Sequence, residues 1–303
     1  MGIRIYNKPE VEDPVLIASW PGIGNIGIIA VDTLRGILRA EEFGEIEPWD
    51  FFYPKKLSII NGELKDLEFP SNKFYWAKAG EKDLIFFIGE EQPTEGGKAY
   101  AEGTKAYQMA NLVLDVALNL GCRRVYTSGA AVAPIHHSVR PMVWAVPNSE
   151  DLIDEIKGYD NTVLMSDIEG RGGQGNITGL NGLLLGVAKK RDLEAICIMG
   201  EIPIYLQAFP LPYPKASRSV LEVLTVTLGI EIEMQGIDAI VERSERDIER
   251  LYERFPSEIR EELDKLRYVT HTRETEPGPI TEEDKKRILE DIDKFFKKES
   301  KED

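Results

Sequence analysis

Three glycines near the start of the chain have the spacing of a dinucleotide-binding turn. Gly22, Gly24 and Gly27 form the pattern Gly-x-Gly-x-x-Gly, which follows the apolar run 15–18 and opens a helical pattern over 28–38. Glycines at such a strand-to-helix turn let backbone amides approach a pyrophosphate, which then sits at the positive end of the helix. Taken alone, this turn predicts an NAD-binding site.

The residues after this turn lack the second part of a dinucleotide site. That part is an acidic residue about 20 positions further on, at the tip of a second buried strand, where it binds the ribose. Segment 41–47 is polar and contains four glutamates, and Pro48 follows it, so we expect no buried strand there. The alternative is a turn without a ligand, in which the glycines allow close packing of helix on sheet and Pro21 restricts the entry.

Composition limits the classes of partner that the chain can bind. Its 303 residues carry a net charge of -16, which opposes binding to nucleic acid because phosphate contacts need a basic surface. The first residues lack a signal-peptide core, and no apolar stretch reaches the roughly 18 residues needed to cross a bilayer. We therefore expect a cytoplasmic protein with neither nucleic acid nor membrane as a partner.

Cysteine and histidine offer no metal site. Cys122 and Cys197 lie beside or within apolar strand patterns, where a thiol in a reducing compartment acts as a small hydrophobe. The adjacent pair His136 and His137 does not have the spacing of zinc ligands. We therefore predict neither a metal nor a cofactor.

Strand and helix patterns alternate along most of the chain. Apolar runs of strand length occupy 15–18, 84–88, 125–128, 163–165 and 195–199. Helical patterns occupy 28–38, 97–120, 180–191 and 217–228. This alternation predicts a mostly parallel sheet with helices on both faces, a three-layer α/β/α sandwich. Segment 52–79 departs from it, because Asn61-Gly62 between strand-like runs predicts an antiparallel hairpin.

From about residue 236 the chain becomes dense in charge. We divide it into an α/β domain over 1–235 and a charged helical extension over 236–303. Pro256-Ser257 separates two helical patterns, and a last amphipathic helix is predicted to begin near Thr281. The charged faces of these helices are solvated in the simpler interpretation. In the alternative, apolar residues of the last helix dock on another subunit or partner; these are Ile288, Ile292, Phe295 and Phe296.

Three motifs, in order along the chain, resemble those of the proteasome assembly chaperone 2 family. They are WPGIGNIG at 20–27, GNITGLNGLLL at 175–185 and GEIP at 200–203, the last leading to Pro214-Lys215-Ala216. The resemblance covers residues 10–235. It implies an α/β sandwich of the phosphorylase or hydrolase type, related in shape to purine nucleoside phosphorylases.

The resemblance implies a protein-binding scaffold before it implies an enzyme. Eukaryotic members of this family pair as chaperones that help to assemble the proteasome α-ring, and archaeal and bacterial members are homo-oligomers. Self-association and contact with proteasome α subunits are therefore the expected interactions. Some archaeal relatives dock through a terminal hydrophobic-Tyr-any residue tail. This chain ends in ESKED, so we expect any proteasome contact to use another surface.

The phosphorylase-like shape also implies a cleft at the carboxyl ends of the strands, where open α/β sheets bind ligands. This supports the alternative of an enzyme acting on a nucleoside-like or carboxylate substrate. Asp167, Glu169 or Glu201 would then be the general base, with His137 as acid and Arg171 as anion clamp. In the simpler interpretation the His pair is exposed surface and Glu201 accepts backbone hydrogen bonds. The candidate cleft residues are Pro21, Gly22, Gly24, Asn25, His137, Arg171, Asn176, Asn181 and Glu201, with Gln92 and Ser128 also near strand ends.

An aromatic, proline-rich stretch over 205–214 is the candidate interface. Proline-fixed aromatic side chains present a rigid apolar surface at low entropic cost, which favours Tyr205, Phe209 and Tyr213 as contact residues. The alternative is a loop that packs over the strand ends of its own domain.

Overall fold

A computed structural model describes residues 2–94, 103–165 and 176–269 of the chain. Its strands are β1 (Ile3–Ile5), β2 (Val15–Ser19), β3 (Glu41–Ile46), β4 (Lys56–Ile60), β5 (Glu63–Glu68), β6 (Asn72–Ala79), β7 (Lys82–Gly89), β8 (Arg124–Ala133), β9 (Val143–Pro147), β10 (Thr162–Leu164) and β11 (Glu194–Pro203). Nine of these strands form one sheet in the order β1-β3-β6-β7-β2-β8-β11-β9-β10. Strands β4 and β5 form a separate two-stranded hairpin.

The sheet is parallel at its centre, antiparallel pairs flank this centre on both sides, and the edge strand β10 pairs in parallel with β9. Strand β2 pairs in parallel with β7 and β8, and β8 pairs in parallel with β11. These central strands are rich in buried Val, Ile, Leu and Phe because helices cover both faces. Antiparallel pairing joins β7 to β6, β6 to β3, and β11 to β9. The α/β fold predicted from the alternating patterns is confirmed, with a mixed sheet.

Helices cover the two faces of the sheet and make the outer layers of the sandwich. They are α1 (Ile26–Ile37), α2 (Gly103–Asn119), α3 (Ile153–Lys157), α4 (Gly179–Lys190), α5 (Pro214–Leu228), α6 (Gln235–Tyr252) and α7 (Ser257–Asp264). One apolar cluster joins the sheet to α1, α5 and the C-terminal helices, and a second joins its other face to α2 and α4. None of the described helices is both long and apolar enough to cross a membrane.

The predicted hairpin at Asn61-Gly62 is confirmed. Both residues have positive φ, 53° for Asn61 and 80° for Gly62, which is the conformation that the twist of a two-residue hairpin turn requires. Leu57 pairs with Leu67, and Ile59 pairs with Leu64 across the hairpin. The turn chemistry of two residues thus defines the antiparallel excursion from the α/β pattern.

A strand forms over 41–46, where we expected no buried strand, and it is buried on one face. Strand β3 lies there, with Phe43 and Ile46 buried and the glutamates toward solvent. It runs antiparallel to β6, and β6 and β7 separate it from β2. An outer strand needs only one apolar face, which explains its polar sequence. The strand-helix-strand unit of a dinucleotide site is therefore not formed by β2, α1 and β3.

The first helices of the C-terminal extension pack into the same apolar cluster as α5. Ile237, Val241, Ile248 and Leu263 are buried there, and the guanidinium of Arg218 on α5 binds the carboxylate of Asp238 on α6. The division between 1–235 and 236–303 remains a prediction. The last amphipathic helix predicted from Thr281 lies outside the described residues.

Candidate functional site

Residues from the first two sequence motifs meet at the carboxyl ends of the central strands, next to the start of the third. A cavity of about 230 Å³ lies there. The first glycine turn contributes Gly22 and Ile23, the second contributes Asn176, Thr178 and Asn181, and Met199 precedes the third motif. Residues 129–132 of β8 and the Trp144 ring complete much of the wall. None of the described residues that line the cavity is charged at neutral pH.

The last glycine of the first turn, Gly27, serves close packing of helix on sheet. Gly24 and Asn25 both adopt left-handed backbone, with φ of 60° and 50°. A Cβ atom on Gly27 would lie 2.4 Å from the carbonyl oxygen of Ser128, so α1 packs directly on the backbone of β8. This agrees with the interpretation of the turn that needs no ligand.

The side chain of Gln92 joins the first and second glycine turns. Its Nε2 donates a hydrogen bond to the carbonyl oxygen of Pro21 at 2.6 Å. Its Oε1 accepts one from the backbone amide of Leu180, in the first turn of α4, at 2.9 Å. Sequence reasoning placed Gln92 near a strand end but found no role for it, because its two partners are far apart along the chain.

Asn181 links the same two turns from the other side. Its side chain is buried, and its Oδ1 accepts a hydrogen bond from the backbone amide of Trp20 at 3.3 Å. The Trp20 ring is buried in turn against Phe87, with ring centroids 5.1 Å apart. The polar groups of both motifs therefore hold the two turns at a defined separation.

Glu201 is buried, and its carboxylate binds two donors on neighbouring residues. Its Oε2 accepts from the backbone amide of Met142 at 2.9 Å, and its Oε1 accepts from the indole Nε1 of Trp144 at 2.8 Å. This matches the interpretation in which Glu201 accepts a backbone hydrogen bond at a strand end. The carboxylate positions the Trp144 ring, which lines the cavity.

The adjacent histidines are buried, which contradicts the simpler interpretation that the pair is exposed surface. Their rings lie 4.0 Å apart between centroids, and helices α6 and α7 help to cover them. His137 Nδ1 lies 2.7 Å from the Tyr205 hydroxyl, and its Nε2 lies 3.0 Å from Glu249 Oε2. Because the carboxylate only accepts, the network assigns the ring proton of His137 to Nε2.

Burial governs the protonation of this pair. Burial lowers the pKa of His136 to about 3, and repulsion from a protonated His137 and from Arg267 would act in the same direction. Burial also lowers the pKa of His137, although the hydrogen bond to Glu249 acts in the opposite direction. Both imidazoles are therefore neutral at neutral pH, and His137 is enclosed by Tyr205 and the C-terminal helices. This environment does not suit the general acid that the enzyme interpretation assigns to His137.

Two of the three candidate interface residues are also buried. Tyr205 and Tyr213 are each 1% exposed, because the stretch folds back over the strand ends of its own domain. Their assignment as contact residues is therefore corrected in favour of the alternative. Phe209 is partly exposed and borders an open pocket of about 530 Å³ that also includes Pro21 and Asn25.

The candidate residues thus separate into three places. The open pocket is bordered by Pro21, Gly22, Gly24 and Asn25. The cavity is lined by Gly22, Asn176 and Asn181. His137 lies under the C-terminal helices. Asp167, Glu169 and Arg171 lie outside the described residues. Glu249 and Asp264, which face the histidine pair, were missed because no local pattern marks a helix face that meets a distant loop.

Comparison with known proteins gives relatives over most of the chain. Pyrococcus furiosus PbaB, an archaeal proteasome activator, is 29% identical with a TM-score of 0.65, over 82% of this chain and 98% of that one. P. furiosus PbaA, an archaeal homolog of proteasome-assembly chaperone, is 23% identical with a TM-score of 0.60, over 83% and 96%. The Methanocaldococcus jannaschii protein MJ1210 is 28% identical over 84% of this chain and 89% of its own.

The model of the PAC2 family matches residues 16–252. This range includes all three motifs, all but the first residue of β2, strands β3 to β11, and helix α6. It ends at Tyr252, the last residue of α6, so the contacts of the histidine pair with Glu249 and Tyr252 belong to the family region as well. The chain is a member of the PAC2 family.

Proposed function

We propose that this protein is a homo-oligomeric scaffold of the proteasome-assembly-chaperone kind, which binds protein complexes in the cytoplasm without a cofactor. The observation that carries the proposal is the similarity to P. furiosus PbaB, an archaeal proteasome activator, at 29% identity over 98% of that chain. Proteasome α subunits are accordingly the partners we propose.

The chemistry of the motif residues supports a scaffold. Asn181 binds a backbone group of the opposite turn, and Glu201 binds Met142 and Trp144. Gln92, which lies outside the motifs, binds backbone groups of both turns. Their hydrogen bonds hold the framework together. Among the described residues that line the cavity, none is an acid or base that could move a proton at neutral pH.

The surface of the domain also supports protein binding. Seven large apolar side chains between 49 and 67 are exposed, with Tyr53 at 89% and Ile59 at 67%. Monomeric proteins rarely expose contiguous apolar patches of more than a few hundred Å². Exposed apolar residues in such number within one segment are typical of a surface that another protein covers.

Native mass spectrometry tests this proposal. We expect the full chain alone to give a defined homo-oligomer, and a mixture with proteasome α subunits from the same source to give a complex of both. A comparably acidic protein without a PAC2 domain is the control for charge-driven association. A monomer that leaves the α subunits unbound would contradict the proposal.

The cavity favours a second candidate, the binding of a small molecule with or without turnover. About 230 Å³ bordered by Asn176, Thr178 and Asn181 suits a small polar ligand. Nucleosides, inorganic phosphate and carboxylates should then raise the melting temperature. Gly129→Val is the matched control, because Gly129 lines the cavity and a Cβ there meets Asn181 and Met199 only at 3.9 Å. A rise in melting temperature that is lost in this variant would support the site. If none of the probes changes the melting temperature, these ligand classes are excluded.

A further inference from the structure

The hairpin β4–β5 has one apolar face. Cross-strand pairs place Leu57 beside Leu67 and Ile59 beside Leu64, on the same side of the two strands. The opposite side carries the polar pairs, in which Lys56 lies beside Glu68 and Ser58 beside Asp66. The exposed fractions of these four side chains are 57% for Leu57, 37% for Leu67, 67% for Ile59 and 58% for Leu64. The sequence therefore builds an amphipathic two-stranded sheet with its apolar face in solvent.

The rest of the described chain supports this hairpin only at its base. The ammonium of Lys55 binds Glu90 at 2.7 Å and Glu91 at 3.0 Å, and the rings of Trp49 and Phe69 meet at 4.7 Å. An isolated two-stranded hairpin is marginal in water and becomes stable when its apolar face packs on something. The apolar face thus requires a cover that the described residues of one chain do not supply.

We propose that the apolar face of the hairpin packs against the same face of a second copy of this chain, about a two-fold axis. Such an interface is self-complementary, because the leucine and isoleucine side chains of one copy meet the same side chains of the other copy. This inference rests on the homo-oligomer of the proposed function and names the surface that makes it.

Charge favours a second copy at this place. The net charge of the chain is -16, so two copies repel each other across most of their surfaces. Residues 55–68 are an exception, because their three lysines balance three acidic residues and their net charge is zero. Two copies can therefore approach through their hairpins without the repulsion that opposes contact elsewhere.

The exposed apolar area reaches the lower end of the range that specific interfaces bury. The four apolar side chains of the face, with Trp49 and Tyr53 just before it, expose on the order of 100 Å² each, or roughly 600 Å² per copy. A standard interface buries about 800 Å² per partner. Tyr53 and Trp49 are residue types enriched at such contacts, and they are 89% and 61% exposed.

The test compares two substitutions of neighbouring isoleucines in the full chain. Ile59→Lys places a charge on the apolar face, whereas Ile60→Lys places the same charge on the opposite face, beside Glu63. Native mass spectrometry at equal concentration should show the wild-type oligomer for Ile60→Lys and a mass of half or less for Ile59→Lys. Circular dichroism of both variants checks that the α/β domain remains folded.

Cysteine cross-linking gives an independent measurement. Oxidation should join two copies of Ile59→Cys through a disulfide and leave Ile60→Cys uncoupled. The native thiols Cys122 and Cys197 do not interfere, because both are buried and burial raises their pKa values to about 12 and about 11. A covalent dimer of Ile59→Cys alone supports the two-fold contact.

Failure of this inference differs from failure of the proposed function. A wild-type monomer would overturn both. If the wild type is an oligomer and Ile59→Lys leaves it intact, the hairpin contact alone is overturned. This holds even if the variant no longer binds proteasome α subunits. Hydrogen exchange supplies one further outcome: protection of β4 and β5 that does not fall on dilution would show that the chain covers its own hairpin, and would overturn the contact between copies.

Discussion

His137 and Glu249 are joined by a hydrogen bond of 3.0 Å between Nε2 and Oε2, across 112 residues of sequence. The histidine lies in the segment between β8 and β9, and the glutamate lies on α6. On the other side of the ring, the Tyr205 hydroxyl completes the contact at 2.7 Å. This contact ties the C-terminal helices to the strand ends of the α/β domain.

Removing the Glu249 carboxylate should loosen α6. We expect Glu249→Ala to lower the free energy of unfolding by about 1 kcal/mol, because His137 loses the acceptor for its ring proton. Urea denaturation measures this loss, and hydrogen exchange should show faster exchange in α6. Glu253→Ala, an exposed substitution just after the same helix, should change stability by less than about 0.5 kcal/mol. Equal effects of the two substitutions would contradict the role of Glu249.

Acid should destabilise the protein through the buried histidines. The pKa of His136 in the folded chain, about 3, lies below the value of 6.5 expected in the unfolded chain. The unfolded state therefore binds the proton first, and stability is lost as the pH falls from 6.5 toward 3. His136 should lower the unfolding free energy by about 1.4 kcal/mol per pH unit in that range, and the lowered pKa of His137 acts in the same direction. Urea titrations at a series of pH values measure this slope.

The variant His136→Phe isolates the contribution of His136. It keeps a ring beside His137 and Tyr252 but cannot titrate. Below pH 6.5, the slope of its unfolding free energy against pH should be smaller than that of the wild type. The difference should correspond to about one proton fewer bound on unfolding. A slope identical to that of the wild type would show that other groups account for the acid sensitivity.

Replacing the buried carboxylate of Glu201 by an amide should be costly. In Glu201→Gln the side-chain NH2 faces one of two donors, the amide of Met142 or the indole of Trp144. We expect a loss of about 2–3 kcal/mol in the free energy of unfolding. Glu194→Gln, at the exposed start of the same strand, should cost less than about 1 kcal/mol. Thermal denaturation compares the two variants, and a Glu201→Gln protein as stable as Glu194→Gln would refute this assignment.

Two glycines of α1 should respond to alanine in opposite directions. Gly27→Ala places a Cβ 2.4 Å from the Ser128 carbonyl oxygen and should destabilise by about 1–3 kcal/mol as the helix is displaced. Gly36→Ala meets no atom within 4 Å and should stabilise by up to about 1 kcal/mol, because alanine favours the helix. Melting temperatures that move in the same direction would contradict the close packing of α1 on β8.

Local patterns predicted those elements whose signals lie in neighbouring residues. The apolar runs at β2, β7, β8 and β11 and the helical periodicities of α1 and α5 reflect burial on a regular repeat, and the structure places the elements there. Asn61-Gly62 defined the hairpin because few other residue pairs adopt its turn. The outer strand β3 escaped prediction because a strand covered on one face can be rich in glutamate.

The arrangement of the site depended on contacts between distant segments. The sequence by itself determined the order of the elements, the hairpin turn and the glycines that α1 needs, since each follows from local backbone and burial preferences. Only the tertiary structure decided that Gln92 joins two turns, that Tyr205 and Tyr213 are buried, and that His137 meets Glu249. These contacts arise where segments far apart in sequence pack together, and no short-range spacing encodes which of them will meet.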